Sequence, residues 1–234
     1  MPRLIMKKKN KEKKEDKIKL VDITKIRFSP EFEFELPAKV DADKLIERGK
    51  TLKSWELKGD GSLTNGIELS PENSNHLYYN EDSLMQIKEI LALCRVYKAK
   101  ALPSCGLHLH INVKNLSDKD VLNIIREWIH RQKFIAKRFN ISKERLSETC
   151  KFLPKSDYKL TEKVIHQYRN KSGYSFSGYS SLDEKYRSLN ISHLPKNDYQ
   201  TLEFRMFSST VNFKEIKSIV YFVLTFCQEA IERE

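Results

Sequence analysis

Hydrophobic and polar residues alternate strictly in two stretches of the chain, and this pattern predicts β-strands whose two faces differ. In residues 26–36 the alternation separates apolar side chains from carboxylates. The two sets are Phe32, Phe34 and Leu36 on one face, and Glu31, Glu33 and Glu35 on the other. In residues 106–113, aliphatic side chains alternate with three polar ones: His108, His110 and Asn112.

Shorter segments predict further strands. They cover residues 55–58, 66–69, 186–191 and 201–207. Asp60-Gly61 is a turn signal between the first two of these segments, and residues 195–198 join the last two as a hairpin. The strand over 201–207 carries Glu203 and Arg205 at its polar positions.

Apolar residues at helical spacing predict three long helices and three short ones. The long helices cover residues 81–97, 118–139 and 213–231, and the short ones cover 41–52, 142–150 and 159–168. Ser117-Asp118 caps the second long helix, and residues 170–181 form a polar, glycine-containing loop. Because the strands pair as hairpins among helices, the fold class is predicted to be α+β, an antiparallel sheet with helices packed on one face.

Composition restricts the class of protein. The chain has 234 residues, of which 39% are hydrophobic, so it can bury a substantial core and is not wholly disordered. It contains no apolar run near the ~18 residues that a membrane span requires. A lysine-rich run, rather than an apolar segment, follows residues 1–6, which predicts that the chain carries no secretory signal. Four scattered cysteines predict reduced thiols in a cytoplasmic protein.

The net charge of +11 is concentrated at the N-terminus, where residues 1–20 hold nine basic side chains and three acidic ones. This segment is predicted to be a basic, flexible tail, and residues 21–234 a single domain. A tail of this kind can contact polyanions, although a solvated extension is the simpler interpretation.

The polar faces of the predicted strands carry carboxylates, imidazoles and a guanidinium, rather than the mixture of lysine, threonine and serine expected of an ordinary solvent-facing side. Side chains at positions i and i+2 of a strand lie roughly 7 Å apart on the same side. Carboxylates at that distance repel each other unless a cation or basic groups lie between them. A face that gathers glutamate, histidine and arginine therefore suits a divalent cation and phosphate groups.

Each of these elements also has a purely structural interpretation. The three glutamates can be the solvated face of an edge strand, and Asp60 can be a turn residue. His108 and His110 can be water-exposed strand residues or ligands of a transition metal. Glu203 and Arg205 can form a salt bridge within the sheet.

Four segments together resemble the amidoligases, the carboxylate–amine ligases related to glutamine synthetase and glutamate–cysteine ligase. They are EFEFEL at 31–36, WELKGDGSLTNGIELSP at 55–71, GLHLHINV at 106–113, and YRSLN with LEFR at 186–190 and 202–205. The resemblance implies a glutamine-synthetase-like catalytic domain with a curved antiparallel sheet. It also implies ATP- and Mg²⁺-dependent joining of a small-molecule or peptide carboxylate to an amine through an acyl phosphate.

The resemblance further implies roles for individual residues. The metal ligands would be Glu33, Glu35, Glu68 and Glu203, with Glu31 as the competing assignment. The family usually has a glycine before its first acidic pair, whereas this chain has Ser29-Pro30, so the pair is Glu31 with Glu33 or Glu33 with Glu35. His108 or His110 would contact a metal or the nucleotide phosphates. Catalysis would fall to Arg187, Glu203 and Arg205, with Asp60 or a glutamate accepting the amine's proton.

Two other functions fit parts of the pattern. A metal-dependent phosphoesterase or nuclease would use the histidines and the acids without ATP. A degenerate, non-catalytic ligase domain would bind nucleic acid or a larger assembly through the basic tail.

Overall fold

A computed structural model describes most of the chain. The described residues are 22–41, 45, 54–72, 76–170, 186–195 and 200–232. Several sequence predictions lie wholly or mostly outside them: the tail 1–20, the helix 41–52, the loop 170–181 and the turn at 195–198.

An antiparallel sheet of seven strands organises the described part of the chain. The strands are β1 (Arg27–Glu35), β2 (Trp55–Asp60), β3 (Gly66–Pro71), β4 (Leu77–Tyr78), β5 (Gly106–Asn112), β6 (Leu189–Asn190) and β7 (Thr201–Ser208). Their order is β2-β3-β1-β5-β7-β6, and the short β4 pairs with the start of β1. The predicted antiparallel sheet is confirmed, with β1 and β5 at its centre.

The helices described are those that the apolar spacing predicted, with small changes at their ends. They are α1 (Glu81–Val96), α2 (Asp118–Arg138), α3 (Lys143–Glu148), α4 (Glu162–Asn170) and α5 (Phe213–Glu232). Ser117 caps α2 in a capping box with Asp120. The predicted helix over 159–168 begins later, because residues 155–159 form a separate 3-10 turn and Leu160 has extended backbone angles.

The strand predicted over 186–191 is shorter than expected. Only Leu189–Asn190 pairs with β7. The preceding residues bond to a different segment, since Tyr186 O accepts from the Lys151 N–H and the Ser188 N–H donates to Lys151 O. Lys151 therefore takes the Ser188 N–H, while Ser188 O still accepts from the Arg205 N–H of β7.

One core lies between the sheet and the helices. Apolar side chains of β1, β5 and β7 form a single cluster with buried side chains of α1, α2 and α5. Trp128 on α2 is completely buried there, with its ring edge-to-face against Phe204 and Phe226. Its indole N–H donates to Ser188 Oγ at 3.1 Å, so the polar atom of this side chain is satisfied.

A β-bulge interrupts the pairing of β5 with β7. Leu107 pairs with Phe207 but Leu109 pairs with Phe204, so two residues of β7 oppose His108. The extra residue lets both phenylalanines face the core. It also places Arg205 opposite His108, where its side chain reaches the polar side of the sheet.

The four cysteines are buried and unpaired as disulfides, which confirms the prediction of free thiols. None of the helices in the described ranges combines the length and the apolarity that crossing a membrane would require.

Candidate functional site

The polar side of the sheet forms the floor of a cavity of about 360 Å³. Strands β1, β2, β3, β5 and β7 each contribute to its lining. The sequence-predicted site residues that it brings together are Glu31, Glu33, Asp60, Glu68, His108 and Arg205. Positions from four separate sequence segments therefore meet in one concave space.

Strand register places an imidazole between two carboxylates. Glu31 on β1 lies directly opposite His108 on β5, and Glu31 Oε1 is 2.6 Å from His108 Nδ1. The other ring nitrogen, Nε2, lies 3.7 Å from Glu33 Oε1. One ligand atom from each of the three residues falls within 4.8 Å of the others. Carboxylate oxygens with one imidazole are donors that Mg²⁺ or Mn²⁺ accepts, so this trio fits a divalent cation.

Glu33 is held in place by the start of β5. Its Oε2 accepts a hydrogen bond from the Gly106 N–H at 2.6 Å. A methyl group built on Gly106 would lie 2.5 Å from His108 Nε2 and 3.0 Å from Glu33 Oε2. Glycine at this position therefore lets the backbone donor reach the carboxylate while the imidazole packs beside it.

Gly106→Ala is expected to lower the affinity for Mn²⁺ at least tenfold, because the new methyl group must displace at least one of Arg145, His108 and Glu33. The free energy of unfolding should fall by about 1–3 kcal/mol from the same overpacking. Isothermal titration with Mn²⁺ and urea unfolding measure the two effects. Gly59→Ala is the control, since nothing lies within 4 Å of a methyl group there. Equal Mn²⁺ affinity in both variants would show that Gly106 does not shape the cation site.

Glu68 joins the acidic side of the cavity from β3. It pairs in register with Glu33 on β1 and with Lys58 on β2. Burial, reinforced by the negative charge of Glu31, raises the pKa of Glu68 to about 7. This crowding of carboxylates is energetically unfavourable without a cation, and a bound divalent ion would relieve it.

Glu203 and Arg205 form an ion pair on β7 beside the trio. Glu203 is 3% exposed, and its Oε1 is 3.6 Å from His108 Nδ1. Burial alone would raise the pKa of Glu203, but the charges of His110 and Arg205 lower it overall. The carboxylate therefore stays ionised, and Arg205, which lines the cavity, keeps a fixed partner.

His110 connects the same carboxylates from the next position on β5. Its Nε2 lies 3.6 Å from Glu31 Oε2 and 3.9 Å from Glu203 Oε1. Burial alone would lower the pKa of His110, but the hydrogen bond to Glu31 and the charge of Glu203 raise it. Similarly, burial alone would raise the pKa of Glu31, but hydrogen bonds to His108 and His110 lower it well below its ordinary value. His193 also approaches this group, with Nε2 3.7 Å from Glu203 Oε2.

Four of the predicted site residues that the structure describes do not line the cavity: His110 and Glu203, which lie beside the trio, and Glu35 and Arg187, which bond elsewhere. Glu35 Oε1 accepts from the Asn65 N–H at 3.0 Å and does not line the cavity. Arg187 donates to Phe152 O at 3.3 Å and is likewise absent from the lining. Their roles as a metal ligand and a catalytic group stay predictions. Asp60 does line the cavity, and its Oδ1 accepts from the backbone and hydroxyl of Ser62.

Sequence reasoning missed Arg145 and His193. Arg145 is 2% exposed and lines the cavity from α3. It occurs in a short helix whose other residues are mostly polar, so nothing in the local pattern marks it as buried. His193 lies in a turn after β6, where a histidine carries no motif of its own.

Comparison with known protein families finds a match that spans most of the chain. A sequence model of the family described as "Putative amidoligase enzyme" matches residues 6–227. The match covers all the residues of the cavity floor. No curated protein matches the chain.

Proposed function

The chain belongs to this amidoligase family, and we propose that it is an ATP- and Mg²⁺-dependent carboxylate–amine ligase with a catalytic domain of the glutamine-synthetase type. The observation that supports the proposal most strongly is the meeting of Glu31, Glu33 and His108 with Arg205 in one cavity. A cation site beside a guanidinium is what a phosphoryl-transfer reaction requires of a protein.

The proposed reaction has two steps. A substrate carboxylate oxygen attacks the γ-phosphorus of ATP, the bond to the β,γ-bridging oxygen breaks, and ADP leaves with an acyl phosphate remaining. The amine then attacks the acyl carbon, phosphate leaves, and the nitrogen loses its proton as the amide forms. ATP is needed because a carboxylate has no adequate leaving group at neutral pH.

This chain's residues would position charge in both steps. Glu31, Glu33 and His108 would hold Mg²⁺, with Glu68 and Glu203 close by. The cation would neutralise phosphate charge and orient the phosphoryl group for in-line transfer. Arg205, fixed by Glu203, would stabilise the transferred phosphoryl group and then the oxyanion of the tetrahedral intermediate. Asp60, the last residue of β2, is our candidate to accept the amine's proton.

The decisive assay uses hydroxylamine as the amine. It attacks acyl phosphates in general, so pooled amino acids or short peptides can be screened as carboxylates without knowing the natural amine. We expect ADP release and hydroxamate formation that both require Mg²⁺ and a carboxylate.

Three results would contradict the proposal. They are failure to bind nucleotide, ADP release that is independent of any carboxylate, and cleavage of phosphodiesters without ATP. The last would instead support the phosphoesterase alternative.

A further inference from the structure

Arg145 donates hydrogen bonds to backbone carbonyls of two segments that border the cavity. Its Nε donates to Met206 O at 3.2 Å and its Nη2 to Arg205 O at 2.9 Å, both in the bulge of β7. Its Nη1 contacts Pro103 O and Ser104 O, at 3.4 and 3.2 Å, just before β5 begins. One planar guanidinium therefore links the bulge that carries Arg205 to the segment that leads into Gly106.

The same guanidinium lies behind the cation ligands. A methyl group built on Gly106 would be 2.5 Å from Arg145 Nη2 and equally close to His108 Nε2. The Gly106 N–H in turn holds Glu33 at 2.6 Å. Arg145 thus contacts the backbone on both sides of the cavity while its positive charge lies near Glu33.

We infer that Arg145 is a positioning residue, which sets the orientation of Glu33 toward the cation and of Arg205 toward the phosphoryl group through the backbone that it braces. The inference rests on the proposed function insofar as Glu33 and Arg205 have those roles. Groups that orient metal ligands from behind commonly change metal affinity by 10–100-fold when they are replaced.

The opposite end of β5 provides a matched comparison. Arg169 on α4 is partly buried, with 9% of its side chain exposed, and it too binds backbone carbonyls. Its Nη1 donates to Leu116 O at 2.8 Å and its Nη2 to Val113 O at 3.1 Å. It also pairs with Asp118, and none of these groups lines the cavity. Arg169 therefore joins backbone segments through its guanidinium, as Arg145 does, but away from the cation ligands.

The test compares Arg145→Lys with Arg169→Lys, because lysine keeps the charge and removes the planar set of donors. Urea unfolding measures stability, and isothermal titration measures Mn²⁺ affinity without nucleotide. The titrations are made in a stabilising osmolyte, with near-ultraviolet circular dichroism confirming that each variant is folded. We expect both variants to be destabilised, and only Arg145→Lys to lose 10–100-fold in Mn²⁺ affinity.

Two outcomes overturn the inference while leaving the proposed function intact. In one, folded Arg145→Lys binds Mn²⁺ within twofold of the unsubstituted protein. In the other, Arg169→Lys loses as much affinity as Arg145→Lys, which would mean that loosening of the fold alone explains the effect. Failure of the unsubstituted protein to bind Mn²⁺ would overturn both proposals together.

Discussion

Replacing Glu31 with glutamine is expected to reduce Mg²⁺-dependent ADP release by about a thousandfold. Glu31 supplies a carboxylate to the predicted cation trio, hydrogen-bonds His108, and lies 3.6 Å from His110 Nε2. Glutamine has nearly the same shape but no charge, so it cannot balance a divalent ion or the neighbouring His110. The coupled assay of ADP release measures the rate, and titration with Mn²⁺ measures the expected loss of cation binding.

Glu35→Gln is the control for this prediction, because it makes the same change on the same face of β1. Glu35 accepts from the Asn65 N–H, and a glutamine carbonyl oxygen can accept that bond equally well. The control should keep its Mn²⁺ affinity and most of its activity. The opposite result, with Glu35→Gln inactive and Glu31→Gln active, would place the cation between Glu33 and Glu35 and refute the geometry proposed for the trio.

Trp128→Ala is expected to destabilise the protein more than any surface change, by about 3–5 kcal/mol in the free energy of unfolding. The indole is fully buried and packs edge-to-face on phenylalanines of β7 and α5. Its removal leaves a cavity and takes away the hydrogen bond to Ser188 Oγ. Urea unfolding followed by circular dichroism measures the change.

Phe134→Ala on the same helix is the control for Trp128→Ala. Phe134 is 63% exposed, so its truncation should change the free energy of unfolding by only about 0.5 kcal/mol. Trp128→Phe should fall between the two, since it keeps an aromatic ring and loses the indole N–H. Similar losses of stability in Trp128→Ala and Phe134→Ala would contradict the placement of Trp128 in the core.

The strands and their two faces could be predicted because the alternation that defines them is local. Glu31 and Glu33 share a face of β1 whatever strand lies beside it, and the same holds for His108 and His110 on β5. The long helices could also be predicted from the sequence, since apolar spacing and the Ser117 cap are properties of neighbouring residues. The hairpin pairings of β2 with β3 and of β6 with β7 were also predicted, but the pairings of β1 with β3 and β5, and of β5 with β7, join distant segments and were not.

The registers between distant strands decide which of the predicted residues form the site. Glu31 faces His108, whereas Glu35 pairs in register with Gly66 and does not line the cavity. That distinction depends on how β1 aligns with β3 and β5, which no local pattern encodes. The bulge in β7 and the burial of Arg145 depend likewise on contacts between segments far apart in sequence.

The pairing of β1 with β5 has a consequence for the order of folding. Glu31 and His108 are 77 positions apart, so the cation trio exists only after a long loop has closed. Partly folded chains that have formed only local helices and hairpins therefore lack the trio. A divalent ion that binds the finished trio would slow the unfolding rate while leaving the early steps of folding unchanged.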